Sequence, residues 1–213
     1  MESDRRKIIS DFKISEVTED NLRNVCNKIA NSARLAKPAD RAEAASVVAE
    51  EVIEEAVGLG HSFKIPQRLL AKVCQNLHRE HHLEWFHWRF TEHCQNKFKE
   101  AIRRARSGVE GPERELASLA IFDLVALVGE LYGVGFLEDE TMMIYLNDLN
   151  SEDKAEAMCL LLHFISRRRN ADWTIDVRPF VDSLQGYSRT NRYDLTEPKL
   201  AKEIQVGSCS LMR

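Results

Sequence analysis

The stretch His78-Arg79-Glu80-His81-His82-Leu83-Glu84-Trp85-Phe86-His87-Trp88-Arg89-Phe90-Thr91-Glu92-His93-Cys94 holds five of the chain's seven histidines and two of its three tryptophans. Histidine and cysteine bind zinc when their spacing lets several ligands converge on one ion. His78 and His82 lie four apart, on one face of a helix. The metalloprotease pattern also needs a glutamate directly after the first histidine, but Arg79 stands there and Glu80 points to another face. His93 sits one position away from the apolar stripe that contains Cys94, so those two diverge and cannot join His78 and His82 on one ion. No metal site is therefore expected, and a histidine-dependent metalloenzyme is the least favoured reading. There is also no glycine-rich phosphate loop, no nucleophile elbow and no pair of carboxylates in an apolar setting, so neither catalysis nor a cofactor is expected.

The same stretch suits recognition better. With Phe86, Phe90, Cys94 and Phe98 forming a buried stripe, Trp88 lies about 200° round the helix from Phe86 and points away from the core. Tryptophan and arginine exposed together are enriched in interface hot spots, which makes Trp85, Trp88 and Arg89 candidate partner-binding residues. The competing reading has the tryptophans covering the link between the third and fourth helices. Lys99, Arg103, Arg104 and Arg106 end the fourth helix. They are candidates for contact with RNA phosphate, in competition with simple compensation of the helix dipole.

The elements that must position these residues are helical throughout. Apolar residues recur at helical spacing and no alternating strand pattern is found, so an all-α fold is expected. The first helix spans about Thr18 to Leu35 behind a capping Thr18. The second carries Ala45, Val48, Ala49, Val52, Ile53 and Ala56 and stops at Gly58 and Gly60. Pro66 opens a third that continues to His81, and the fourth ends in the basic cluster. The fifth, Pro112 to Tyr132, is apolar on most faces, Leu116 and Leu119 included, and should lie between neighbours. A sixth follows near Glu140 to Leu149, then a seventh capped by Ser151, and an eighth near Asp176 to Leu184 with Pro179 in its first turn. The links are short, so neighbours should run antiparallel, and the spacing fits a HEAT-like solenoid of helical hairpins; its rival is a single irregular bundle. The expected organisation is a flexible segment over 1–14, a helical domain over 15–185 and a polar tail over 186–213.

Composition agrees with a folded helical protein: 213 residues, 44% hydrophobic, 30% charged, with few glycines and prolines. A net charge of −4 argues against binding nucleic acid through general basicity, leaving only local clusters. The five cysteines form no CxxC pair and four fall on apolar stripes, which predicts buried reduced thiols and a reducing compartment. The first residues show no apolar signal core, and Asp123 and Glu130 interrupt the most apolar stretch, Leu116 to Leu137. A soluble cytoplasmic protein with a nuclear pool is expected, without membrane association.

Two segments carry a family resemblance: IFDLVALVGELYGVGFLEDETMMIYLNDL, Ile121 to Leu149, and DKAEAMCLLLHFIS, Asp153 to Ser166. Together they resemble the middle domain of eukaryotic translation initiation factor 4 gamma. Gly129-Glu130-Leu131-Tyr132 followed by Phe136-Leu137 is similar to the family's Gly-Glu-Leu-Phe helix end and apolar-Leu pair, and Glu156, Cys159, Leu161 and Leu162 to its next helix. Upstream, HCQNKFKE from His93 and VIEEAVGLGHSFKIPQRLLAKVCQNL resemble earlier family segments in the right order, so that the likeness covers about 45–166. The chain departs from the family at Asp123-Leu124, where Gly-Asn is usual, in a final repeat that ends early, and in lacking a cap-binding-protein motif. The resemblance implies a crescent of HEAT-like hairpins and a non-catalytic adaptor in translation regulation. Its partner would be a DEAD-box RNA helicase or a messenger-RNA-binding protein, with RNA bound directly in some members. The alternative is a helical interaction scaffold unrelated to translation. The sequence leaves open a homodimer.

Overall fold

The structure is a computed structural model, and it describes residues 14–35, 41–57, 65–81, 85–106, 112–152, 154–167 and 175–190. Among these every regular element is helical. A short 3-10 helix, Ile14–Glu16, precedes eight α-helices: α1 Leu22–Leu35, α2 Arg41–Val57, α3 Gln67–Arg79, α4 Phe86–Arg106, α5 Pro112–Gly133, α6 Asp139–Ser151, α7 Ala155–Arg167 and α8 Arg178–Thr190. The expected flexible segment over 1–14 falls almost wholly outside the described residues, as does most of the expected tail.

Local chemistry explains where several helices begin and end. Thr18 and Asn21 satisfy each other before α1: the Asn21 N–H donates to Thr18 Oγ1 at 3.3 Å and the Thr18 N–H to Asn21 Oδ1 at 2.8 Å, a reciprocal cap. Thr18 thus caps as expected, although the regular helix starts only at Leu22. Pro66 precedes α3, and Gln67 Nε2 donates to the Ala56 carbonyl at 3.0 Å, tying the start of α3 to the last turn of α2. The third helix ends at Arg79 rather than His81. At the far end of α5 the Phe136 N–H reaches the Leu131 carbonyl at 2.9 Å and the Gly135 N–H reaches that of Tyr132 at 3.0 Å. That pair of bonds is a Schellman cap, whose penultimate residue must be left-handed, and Gly135 has a φ of 72°.

The chain divides into two compact units, Met1–Phe136 and Leu137–Arg213. In the first, α1 packs on α2 and α3, α2 on α4 and α5, α3 on α5, and α4 on α5. Each of α1, α2 and α3 therefore meets the helix two places further on. The stripes read from the sequence supply this contact: Ala45, Val48, Ala49, Val52, Ile53 and Ala56 on α2 are all buried, as are Phe86, Phe90, Cys94, Phe98 and Ile102 on α4. Burying each large apolar side chain contributes about 1.5–3 kcal/mol relative to exposure. Lys97 pairs with Glu54 of α2 at 2.5 Å and Lys72 with Glu19 at 2.7 Å. Pairs this exposed contribute about 0–1 kcal/mol each, so the apolar stripes hold the unit. In the second unit α6, α7 and α8 all pack on one another around Met142, Tyr145, Leu146 and Met158.

Three local expectations are corrected. Ser151 does not cap α7: it belongs to the last turn of α6, where its hydroxyl donates to the Asp148 carbonyl at 3.0 Å. The fifth helix is not enclosed along its length, because Leu116 and Leu119 are 41% and 53% exposed; burial on both sides begins near Ala120, where α2, α3 and α4 surround it. The eighth helix continues to Thr190, past Leu184, since its polar end carries no proline to stop it. Asp176 Oδ1 accepts the Arg178 N–H at 3.1 Å and so caps its start. Asp123 and Glu130 on α5 are both half-buried at the helix rim. Of the described helices α5 alone is long and apolar enough to cross a membrane, and the core helix of a folded protein passes the same test.

Candidate functional site

Phe86, Phe90, Cys94 and Phe98 anchor α4 in the core, and this fixes what the opposite side presents. Trp85 is 58% exposed and Trp88 53%. Their rings meet edge to face with centroids 6.3 Å apart. Arg89 lies over Trp88, its Cζ 4.4 Å from the ring centroid, and donates from Nη1 to Glu92 Oε2 at 3.0 Å. A cation stacked this way on an exposed ring is held by about 0.5–1 kcal/mol. Arg89 Nε is shielded from solvent without an acceptor. The structure thus brings the three residues expected to bind a partner into one cluster at the start of α4, with both tryptophans exposed and Arg89 half-buried.

Trp85 also has an unusual backbone. Its φ is 65°, the left-handed region that costs a side-chain-bearing residue about 1–2 kcal/mol. The Trp85 carbonyl accepts the Arg89 N–H at 2.9 Å, so this strained residue makes the first hydrogen bond of α4. A bulky residue kept in such a conformation while its ring faces solvent is an outlier of the kind that gathers at functional sites.

The histidines go to separate places. His87 Nε2 lies 2.7 Å from the Phe136 carbonyl oxygen, and the His78 ring sits 5.0 Å from that of His87 and 5.7 Å from that of Phe136. His93 turns instead towards α2, with Nε2 2.5 Å from Ser46 Oγ and 3.5 Å from Glu50 Oε1. His82 lies outside the described residues. No group of three or more histidine, cysteine or acidic side chains among the described residues is placed to hold a metal ion. Serine, histidine and glutamate together resemble a hydrolytic triad, but Ser46 and Glu50 both approach the same Nε2. A catalytic base needs its carboxylate on the other ring nitrogen.

Two arrangements were not legible in the sequence. One is the His93–Ser46–Glu50 contact between α4 and α2. The other is a clamp on the turn after α5: Gln75 Nε2 donates to the Val134 carbonyl at 2.6 Å, Arg79 Nη2 to that of Gly135 at 3.0 Å, and His87 meets that of Phe136. Three consecutive carbonyls are thus held by α3 and α4. The His-rich stretch is partly explained by this structural duty, and only the meeting of three helices reveals it.

The basic cluster divides. Arg104 pairs with Glu100 one turn away, whereas Lys99 and Arg103 are exposed and have no acidic partner among the described residues; Arg106 is exposed at the helix end. Inside the protein, Cys26, Cys74, Cys94 and Cys159 are buried free thiols. Burial, with Glu80 adding to it, pushes Cys26 up to about 12. Burial and then Glu156 raise Cys159 to about 11. Cys74 is raised well above its ordinary value by burial and by the neighbouring Cys94 and Cys26. Such thiols are poor nucleophiles and poor metal ligands. Cys209 lies outside the described residues.

Compared with protein-family models, with curated proteins and with solved structures, the chain matches none.

Proposed function

We propose that the chain is a non-catalytic, HEAT-like helical adaptor in translation regulation. It acts in the cytoplasm to hold a DEAD-box RNA helicase or a messenger-RNA-binding protein near a message. The observation that carries the adaptor part is the cluster of Trp85, Trp88 and Arg89 on α4, two large exposed aromatic rings with a half-buried guanidinium stacked on one of them. Solvent contact of such rings is unfavourable, and interface hot spots are built from these residue types. The translation part is supported by the ordered likeness of segments across 45–166 to the middle domain of initiation factor 4 gamma. Packing of α1, α2 and α3 each on the helix two places further on supports stacked hairpins, the unit from which HEAT-like solenoids are built.

A helical scaffold unrelated to translation is the second reading, and the exposed tryptophans of α4 would serve it equally. Both readings share the α4 surface and differ in what it captures. Capture from cytosol on the immobilised chain, with and without ribonuclease, separates them. The translation reading expects a DEAD-box helicase or messenger-RNA-binding proteins in the ribonuclease-treated eluate. An eluate free of these but containing other specific partners would replace it with the second.

A further inference from the structure

The two sets of candidate residues, tryptophans at one end of α4 and cations at the other, lie on one face. Lys99, Arg103 and Arg106 follow Trp88 by 11, 15 and 18 residues, rotations of about 20°, 60° and 0° round the helix. All four are exposed, and they form a strip about 27 Å long. Arg104, about 160° away and paired with Glu100, is off the strip, and Lys97 is turned to Glu54 of α2. Between the two ends stand Gln95 and Asn96, both uncharged, and Glu92, whose carboxylate is engaged by Arg89. The strip thus runs from flat aromatic surface to a row of cations spaced about 6 and 4.5 Å along the axis.

We infer that this strip binds single-stranded nucleic acid, with bases stacking on Trp85 and Trp88 and the backbone phosphates running past Lys99, Arg103 and Arg106. Exposed aromatic rings beside a basic track are the combination by which proteins hold single strands without reading their sequence. Compensation of the helix dipole accounts for the cations alone; it gives no role to tryptophans four turns away. The carboxylates of an acidic peptide would use the cations but gain nothing from the tryptophans, whereas every nucleotide brings both a phosphate and a flat base. With a net charge of −4, the chain repels polyanions as a whole, so binding rests on these few contacts and its salt dependence is shallow. That the strand is RNA rests on the translation reading.

The test is fluorescence anisotropy of a labelled oligouridine titrated with the full chain across a salt series, with a fully base-paired RNA hairpin as comparison. Three phosphate contacts predict a slope of log affinity against log salt of about −2, and the Lys99→Ala, Arg103→Ala double variant should flatten it by about 1.4. Trp88→Ala should weaken oligouridine on the order of tenfold, with the slope kept. Arg68→Ala, which removes an exposed cation on α3, should change neither. Circular dichroism of each variant confirms that it is folded. Equal binding of the hairpin, or loss with the cation variant but none with Trp88→Ala, would reduce the strip to a charge effect and overturn the proposal, as would no binding at all. A protein partner on the same tryptophans would compete with the strand, yet the two readings fail separately: a strip that fails here while helicase capture from ribonuclease-treated cytosol succeeds overturns this inference alone.

Discussion

A tryptophan with left-handed backbone is a costly way to begin a helix, and Trp85 bears that cost with its ring in solvent. Replacing it by glycine removes about 1–2 kcal/mol of strain and adds back about 0.5–1 kcal/mol of unfolded-chain freedom. Trp85→Gly should therefore leave stability against urea unchanged or slightly higher. A loss beyond about 2 kcal/mol would mean that the ring packs as a large buried side chain does. Trp88's outward direction was legible, because Phe86, Phe90, Cys94 and Phe98 fix the opposite face. The Trp85 backbone was not, since left-handed positions are marked in sequence by glycine or asparagine. The thiols make a second prediction at this scale. Cys26 and Cys159 keep their protons up to about 12 and 11, whereas the unfolded chain gives them up near 9.0. Their contribution is thus fully present below pH 9.0 and is lost as pH rises through 9.0 towards those values. In a Cys209→Ser variant the native protein should not react with a thiol reagent, and the urea midpoint should fall between about pH 8 and pH 10. Fast native labelling would contradict the burial.

At the scale of the element, the turn after α5 sets two glycines against each other. Gly135 is left-handed, and its N–H and that of Phe136 close the helix. Gly133 is helical, and a Cβ there would meet nothing within 4 Å. Gly135→Ala should destabilise by about 1–2 kcal/mol, while Gly133→Ala should stabilise by about 0.5–1 kcal/mol; denaturant titration of the two variants reads both signs. Equal effects would remove the Schellman assignment. The Gly133-Val134-Gly135 turn was readable from its residues, and so were the stripes of α2, α3 and α4. Ser151 misled because Ser-Glu-Asp has the composition of a helix start, yet the serine hydroxyl can equally bond back to the turn before it. Leu116 and Leu119 misled because composition counts apolar residues without saying how much of a helix its neighbours cover.

For the whole molecule, the all-α class followed from the uniform helical period, but the pairing did not. Periodicity gives the width and direction of each apolar face, and says nothing of which helix arrives to cover it. That α2 meets α4 through Lys97 and Glu54, and His93 with Ser46 and Glu50, could not be read from residues some forty positions apart. The strip on α4 is a different case: the spacing of Trp88, Lys99, Arg103 and Arg106 within one helix already places them on one face, and what the structure adds is that all four are exposed.

The central claim is that the α4 edge is a recognition surface and not a covering of the core, and Trp88→Ala tests it most directly. Thermal unfolding and capture of partners from ribonuclease-treated cytosol should be measured on the same preparation. The account predicts an unchanged midpoint together with a loss of about 2 kcal/mol or more in partner binding, the size of an interface hot spot. A sharply lower midpoint with partner capture intact would contradict it and make Trp88 part of the packing.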